Sequence, residues 1–289
     1  MHPDDLGVDH HYATVNGVRM HYVDKGDGPL VVLLHGFPEM WWSWRHQIVA
    51  LAGAGFRVVA PDLRGYNDTD ATGPFDIATL RDDVMALLDH LGSDQPTVVG
   101  HDWGGAVAWH LARTRPGRCA RLAIMNCPYP TVFRRALRRS ARQLGRSWYM
   151  FFFQIPLVPE WMLTRRDGEL VIRIFQRLAV DATHFRRDEL LPFAEAVCKP
   201  GRAKAMVDWY RAALRAYPRN DGGYHAITIP TLLIWAMQDK VLGYDDVVPG
   251  IERYVHQLEI QKIEPCGHFV QQERPEEVSG RLIRFLKST

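Results

Sequence analysis

Near the N-terminus, residues 12–15 and 18–23 alternate between apolar and polar side chains. Asn16-Gly17 between them tolerates the positive φ of a tight hairpin turn, so an antiparallel pair is predicted. The texture then changes. Residues 30–34 (LVVLL), 56–60 (FRVVA), 97–100 (TVVG), 122–125 (LAIM), 231–235 (TLLIW) and 258–263 (LEIQKI) are mostly apolar runs, the pattern of strands covered on both faces. Helical periodicity occupies 44–51, 77–91, 103–113 and 275–286. Strand and helix in alternation predict the α/β class, a mostly parallel sheet flanked by helices. From 131 to 225 the alternation stops and helical stretches follow one another, so a helical cap is expected to interrupt a core formed by residues 1–130 and 226–289.

Charge sharpens that division. The 289 residues carry 35 Lys and Arg against 33 Asp and Glu, a balance that gives nucleic acid no purchase. Residues 131–225, however, hold 18 basic against 9 acidic side chains, leaving 17 against 24 in the remainder, as expected of a module with its own surface. Arg134, Arg135, Arg138, Arg139, Arg142 and Arg146, with Phe133, Leu137, Ala141 and Leu144 between them, predict one amphipathic helix. Such a helix ordinarily shows its basic face to solvent; a membrane surface or partner helix is the other use of the pattern. Cys119, Cys127, Cys198 and Cys266 form no CxxC, which fits a reduced compartment. The acidic start, MHPDDLGVDH, contains no signal sequence, and no apolar run reaches membrane-spanning length. A cytoplasmic protein without stable membrane insertion, metal or cofactor is expected. Its oligomeric state is not legible.

In open parallel sheets chemistry gathers beyond the carboxyl ends of the strands. After TVV the chain reads Gly100-His101-Asp102-Trp103-Gly104-Gly105 and enters a helix, the setting of a nucleophile elbow with Asp102 at its centre. No serine occupies a Gly-x-Ser-x-Gly frame. A carboxylate is ionised at neutral pH and displaces a leaving group from saturated carbon without a base, giving an alkyl ester. Hydrolysing that ester needs a base and an acid to orient it. His268 follows LEIQKI and Asp239 follows TLLIW, in the chain order nucleophile, acid, histidine. Asp245 and Asp246 lie further from their strand end, and His101 should point away from its neighbour Asp102. Backbone N–H groups of Phe37, after LVVLL, and Trp103, at the helix start, are the candidate oxyanion donors.

The segments HGFPEMWWSWRHQ (35–47), PDLRGYNDTD (61–70), GHDWGG (100–105) and CGHFVQQERPEEV (266–278) resemble the α/β-hydrolase-fold epoxide hydrolases. That resemblance implies an α/β-hydrolase core, an epoxide and water as substrates, no cofactor, and two cap tyrosines that hold and protonate the epoxide oxygen. SWYMFFFQIP places the first at Tyr149 and VDWYR the second at Tyr210. Ring opening creates an alkoxide, for which a neutral phenol is a suitable donor. Tyr217 and Tyr224 fall nearer turn residues and are set aside. Haloalkane dehalogenases share the aspartate but usually carry Asn where Phe37 stands. Fluoroacetate dehalogenases usually carry Arg where Trp103 stands. A non-catalytic ligand receptor on this fold would not need Asp102, Asp239 and His268 together.

Overall fold

The computed structural model describes residues 3–216 and 226–288. Eight strands form one sheet in the order β1-β2-β4-β3-β5-β6-β7-β8. β1 (Asp9–Val15) and β2 (Val18–Lys25) are the expected antiparallel hairpin, and β2 also pairs antiparallel with β4 (Arg57–Pro61). Asn16 at φ 44° and Gly17 at φ 78° make the turn, both left-handed as a two-residue hairpin requires. All other pairings are parallel: β3 (Leu30–Leu34), β4, β5 (Thr97–His101), β6 (Arg121–Met125), β7 (Thr231–Ala236) and β8 (Leu258–Ile263). Every residue of β5 and β7 is buried, which is why their sequences read as unbroken apolar runs. β8 is an edge and is largely exposed, with Glu259 and Lys262 discouraging pairing with another chain.

Helices α1 (Arg45–Gly53), α2 (Ile77–His90) and α3 (Asp102–Thr114) separate the first parallel strands. The chain runs from β3 outward to β4, then returns to the far side of β3 to lay down β5. The loops leaving β3 and β5 therefore diverge at the sheet's topological switch, where open α/β sheets bind ligands. Among the described residues six α-helices stand between β6 and β7: α4 (Pro130–Arg139), α5 (Ala141–Arg146), α6 (Trp148–Phe152), α7 (Val158–Leu178), α8 (Arg187–Cys198) and α9 (Arg202–Ala216). The expected end of this insert, with Tyr217, Tyr224 and His225, lies outside the described residues. After β7 come α10 (Tyr244–Val247), α11 (Val270–Glu273) and α12 (Pro275–Lys287).

The single amphipathic helix expected around 133–146 is two helices. Ser140 breaks it at φ −112°, ψ 108°. Its hydroxyl accepts from the Gln143 N–H at 3.1 Å, capping α5, and donates to Asp246 at 2.8 Å. The buried face is Val132, Ala136, Gln143 and Ser147, while Ala141 and Leu144 are exposed. Gln143 is buried because the loop after β7 satisfies it: its amide donates to the Val241 carbonyl at 2.9 Å and accepts from the Gly243 N–H at 3.0 Å. Hydrogen-bond pairing, which periodicity does not register, sets which face turns inward.

Candidate active site

β5 runs directly into α3, and the reversal falls on Asp102 at φ 47°. A left-handed non-glycine residue costs energy and persists only where its surroundings enforce it. The enforcement is close packing: a Cβ on Gly104 would stand 2.1 Å from the Leu34 carbonyl oxygen, and one on Gly100 2.5 Å from that of Gly104. Neither side chain fits without moving backbone. The Phe37 N–H donates to Asp102 Oδ1 at 2.9 Å. Trp103 lies in the first turn of α3, where a backbone N–H has no partner within the helix. The other carboxylate oxygen, Oδ2, lies 3.7 Å from His268 Nε2, longer than a direct hydrogen bond.

His268 and Asp239 are brought together from the loops after β8 and β7, with Nδ1 of the imidazole 2.8 Å from Asp239 Oδ2. Asp239 also accepts from the N–H groups of Val241 and Leu242 and from the Asn126 amide at 2.6 Å. Burial raises the pKa of Asp239, but His268 and Asn126 outweigh it and hold the carboxyl below its usual range. Burial opposes a charge on His268, yet the Asp239, Asp102 and Glu39 carboxylates prevail and push it up to about 9. Asp245 and Asp246 take no part here, and Asp246 instead pairs with Ser140 and Arg142.

Three supporting residues escaped the sequence reading. Asn126, just past β6 at φ 42°, links Asp239 to the Ala236 N–H; a polar residue at a strand's carboxyl end was its only signal. Glu39 is fully buried and receives the Gly36 N–H, Ser43, Gln271, Gln272 and His101. Burial acts to raise its pKa, but His101 and the Gly36 N–H carry it down to about 2. His101 turns away from Asp102 as expected, and its Nε2 bonds the His268 carbonyl at 2.9 Å. Glu273 accepts the Gly267 N–H at 2.8 Å with one oxygen and the N–H groups of Val180 and Asp181 at 2.9 Å with the other. It joins the histidine loop to the helical insert.

Tyr149 on α6 and Tyr210 on α9 meet edge to face, ring centroids 5.8 Å apart. Tyr210 packs against Phe37 at 5.3 Å, Trp103 at 5.1 Å and Phe153 at 4.7 Å. Burial and the Asp102 carboxylate hold both phenols well above the usual tyrosine range. Both are neutral at any physiological pH. Two protonated donors thus stand in the field of one carboxylate inside an aromatic enclosure.

An elbow aspartate at the switch of a mostly parallel sheet, facing a histidine held by a second aspartate, defines an α/β hydrolase. The sequence profile of the alpha/beta hydrolase fold matches residues 29–275. More narrowly, the chain belongs to the epoxide hydrolase family of that fold. It is 34% identical to Epoxide hydrolase 4 of Mus musculus, over 94% of this chain and 77% of that protein. It is 36% identical to the AB hydrolase superfamily protein YfhM of Bacillus subtilis, over 98% of this chain and 99% of that one. Among solved structures, Bacillus megaterium epoxide hydrolase in complex with an inhibitor superposes with a TM-score of 0.87 at 30% identity, covering 96% of this chain and all of that one.

Proposed function

We propose that the protein hydrolyses epoxides to vicinal diols in two half-reactions, with the helical insert closing the site as a cap. Asp102 Oδ2 attacks an epoxide carbon. The C–O bond breaks, its electron pair goes to the epoxide oxygen, and Tyr149 or Tyr210 supplies the proton. Asp102 Oδ1 becomes the ester carbonyl oxygen, already held by the Phe37 N–H. Water beside His268 Nε2 then gives its proton to the imidazole and attacks the ester carbon. Negative charge collects on Oδ1 between the Phe37 and Trp103 N–H groups; as it collapses the ester C–O bond breaks, the departing diol oxygen takes the proton held by His268, and the proton on the regenerated Asp102 carboxyl restores the tyrosine. Alkylation also prepares the second step. Esterified Asp102 has lost the negative charge that helps hold His268 at about 9, so the imidazole becomes readier to act as a neutral base.

The observation that carries this reading is the pair of neutral tyrosines facing Asp102. A departing halide requires no proton, whereas an epoxide oxygen does, and two protonated phenols are suited to supply it. The decisive experiment is a single turnover in ¹⁸O-water, with styrene oxide and 1-bromobutane offered in parallel. Label is expected in the Asp102 carboxylate and not in the first diol formed, with no bromide release. In His268→Gln the alkyl ester should accumulate and be visible by intact-protein mass spectrometry. Label entering the diol in the first turnover would mean that water attacks the epoxide directly and that there is no ester.

A further inference from the structure

Seven of the twelve large apolar side chains exposed among the described residues fall between 144 and 161. They include Trp148 (63% exposed), Phe151 (52%), Leu157 (78%) and Trp161 (58%). Scattered exposed apolar residues are ordinary, but a contiguous stretch of them marks a surface that meets something. Trp148 and Phe151 are three residues apart on α6 and so share one face. Leu157 enters α7 at φ 65°, a left-handed conformation unfavourable to a branched side chain. That strain keeps a large apolar group in water where a glycine would fit better.

The charge beside this patch identifies its partner. Residues 131–159 contain six arginines and no Asp or Glu. Arg135, Arg138, Arg139 and Arg142, which precede the patch in the chain, are exposed, and the Arg165 guanidinium just after it lies 4.4 Å from the Trp161 ring centroid. Indole and phenyl rings favour the headgroup boundary of a bilayer, and guanidinium groups pair with lipid phosphate. A second copy is a poorer occupant: a two-fold contact would set the exposed Arg135, Arg138 and Arg139 against their own copies.

We propose that the α5–α7 shoulder docks on an anionic lipid surface. Trp148, Phe151, Leu157 and Trp161 enter the headgroup layer while the flanking arginines engage lipid phosphates. Attachment is peripheral, since no helix among the described residues is long and apolar enough to cross a membrane. It places Tyr149, between Trp148 and Phe151 on α6, close to the lipid. Apolar substrates dissolved in the bilayer would then arrive beside the site.

The test is sedimentation with vesicles of phosphatidylglycerol and phosphatidylcholine in equal parts, against phosphatidylcholine alone, and it needs no turnover. The wild type should bind the anionic vesicles at least about 10-fold more tightly and lose that advantage in high salt. Arg135→Gln with Arg139→Gln should weaken binding roughly 25-fold, about 5-fold for each charge. Replacing Trp148, Phe151, Leu157 and Trp161 by Ser should abolish it, with circular dichroism unchanged. Leu157→Gly removes the side chain while relieving its strained backbone, so it should weaken vesicle binding without loss of stability. Failure to bind anionic vesicles overturns the proposal, as does undiminished binding by the serine variant. A wild-type dimer that the serine variant dissociates, without vesicle binding, would assign the patch to a second copy.

Discussion

In the proposed mechanism three groups of residues divide the chemistry, and each is separable by substitution. Tyr149→Phe and Tyr210→Phe each delete one preorganised donor and should slow alkylation by an epoxide roughly 10²- to 10³-fold, with the double variant nearly inert, in single-turnover assays. His268 is assigned the other half of that mechanism. Ester hydrolysis should fall as pH drops through the histidine's titration in the esterified enzyme, below the value of about 9 in the free enzyme, while alkylation stays nearly flat. Stopped-flow traces across pH would separate the two limbs, and equal pH dependence of both would remove the histidine from its assigned step. Glu273 acts one layer back. Glu273→Gln turns an amide donor toward one of its backbone N–H partners, at either Gly267 or the insert, costing about 1–3 kcal/mol. Hydrolysis should suffer more than alkylation, because the displaced loop carries the base.

Individual elements fix how closely these groups approach. The elbow depends on α3 packing against the end of β3, and Gly104→Ala would drive a methyl group into the Leu34 carbonyl. A shift of about 1 Å between Asp102 and the Phe37 N–H should cost on the order of 10²-fold in kcat, with a smaller change in KM. Ser140 holds a different joint. Ser140→Ala removes the α5 cap and the bond to Asp246, so unfolding should be easier by about 1 kcal/mol, read from denaturant midpoints. Strand and helix order was legible because buried strands and half-buried helices obey different periods. The break at Ser140 was not, since the helical pattern of arginines continues across it and only a contact with the distant Asp246 rewards it.

Stability of the whole molecule should follow the buried imidazole. The folded pKa of His268, about 9, lies above its unfolded value of about 6.5, so its contribution is fully present below the unfolded value and is lost as pH rises through 9. The gap in thermal midpoint between wild type and His268→Gln should therefore narrow from pH 6.5 to 9.5. Salt should act more weakly. Two ion pairs from the basic insert to the core, Arg142–Asp246 and Lys199–Asp68, are partly exposed and contribute about 0–1 kcal/mol each, whereas Arg45–Glu189 at 3.0 Å is mostly buried and screened less. Buried polar contacts also join the two, among them Glu273 and the Trp209 indole on the Arg64 carbonyl at 3.1 Å. Hydrogen exchange should quicken with salt in α5 and near Lys199 and remain unchanged around Val180.

The sequence alone determined what is local and periodic: the hairpin at Asn16-Gly17, the alternation of strand and helix, the inserted helices, and an aspartate in the Gly-rich turn after a buried strand. It also supplied the candidate partners, because the ends of parallel strands are where polar residues after apolar runs converge. Tertiary structure decided the rest. Asp239 and Asn126, 113 positions apart, meet only because β6 and β7 are neighbours in the sheet. Glu39 and Gln272, separated by 233 positions, share a hydrogen bond beneath the site. Which face of the arginine helices turned inward likewise depended on Gln143 finding its partners across 98 and 100 positions. A buried polar group is stable only where its partners are, and that pairing has no period along the chain.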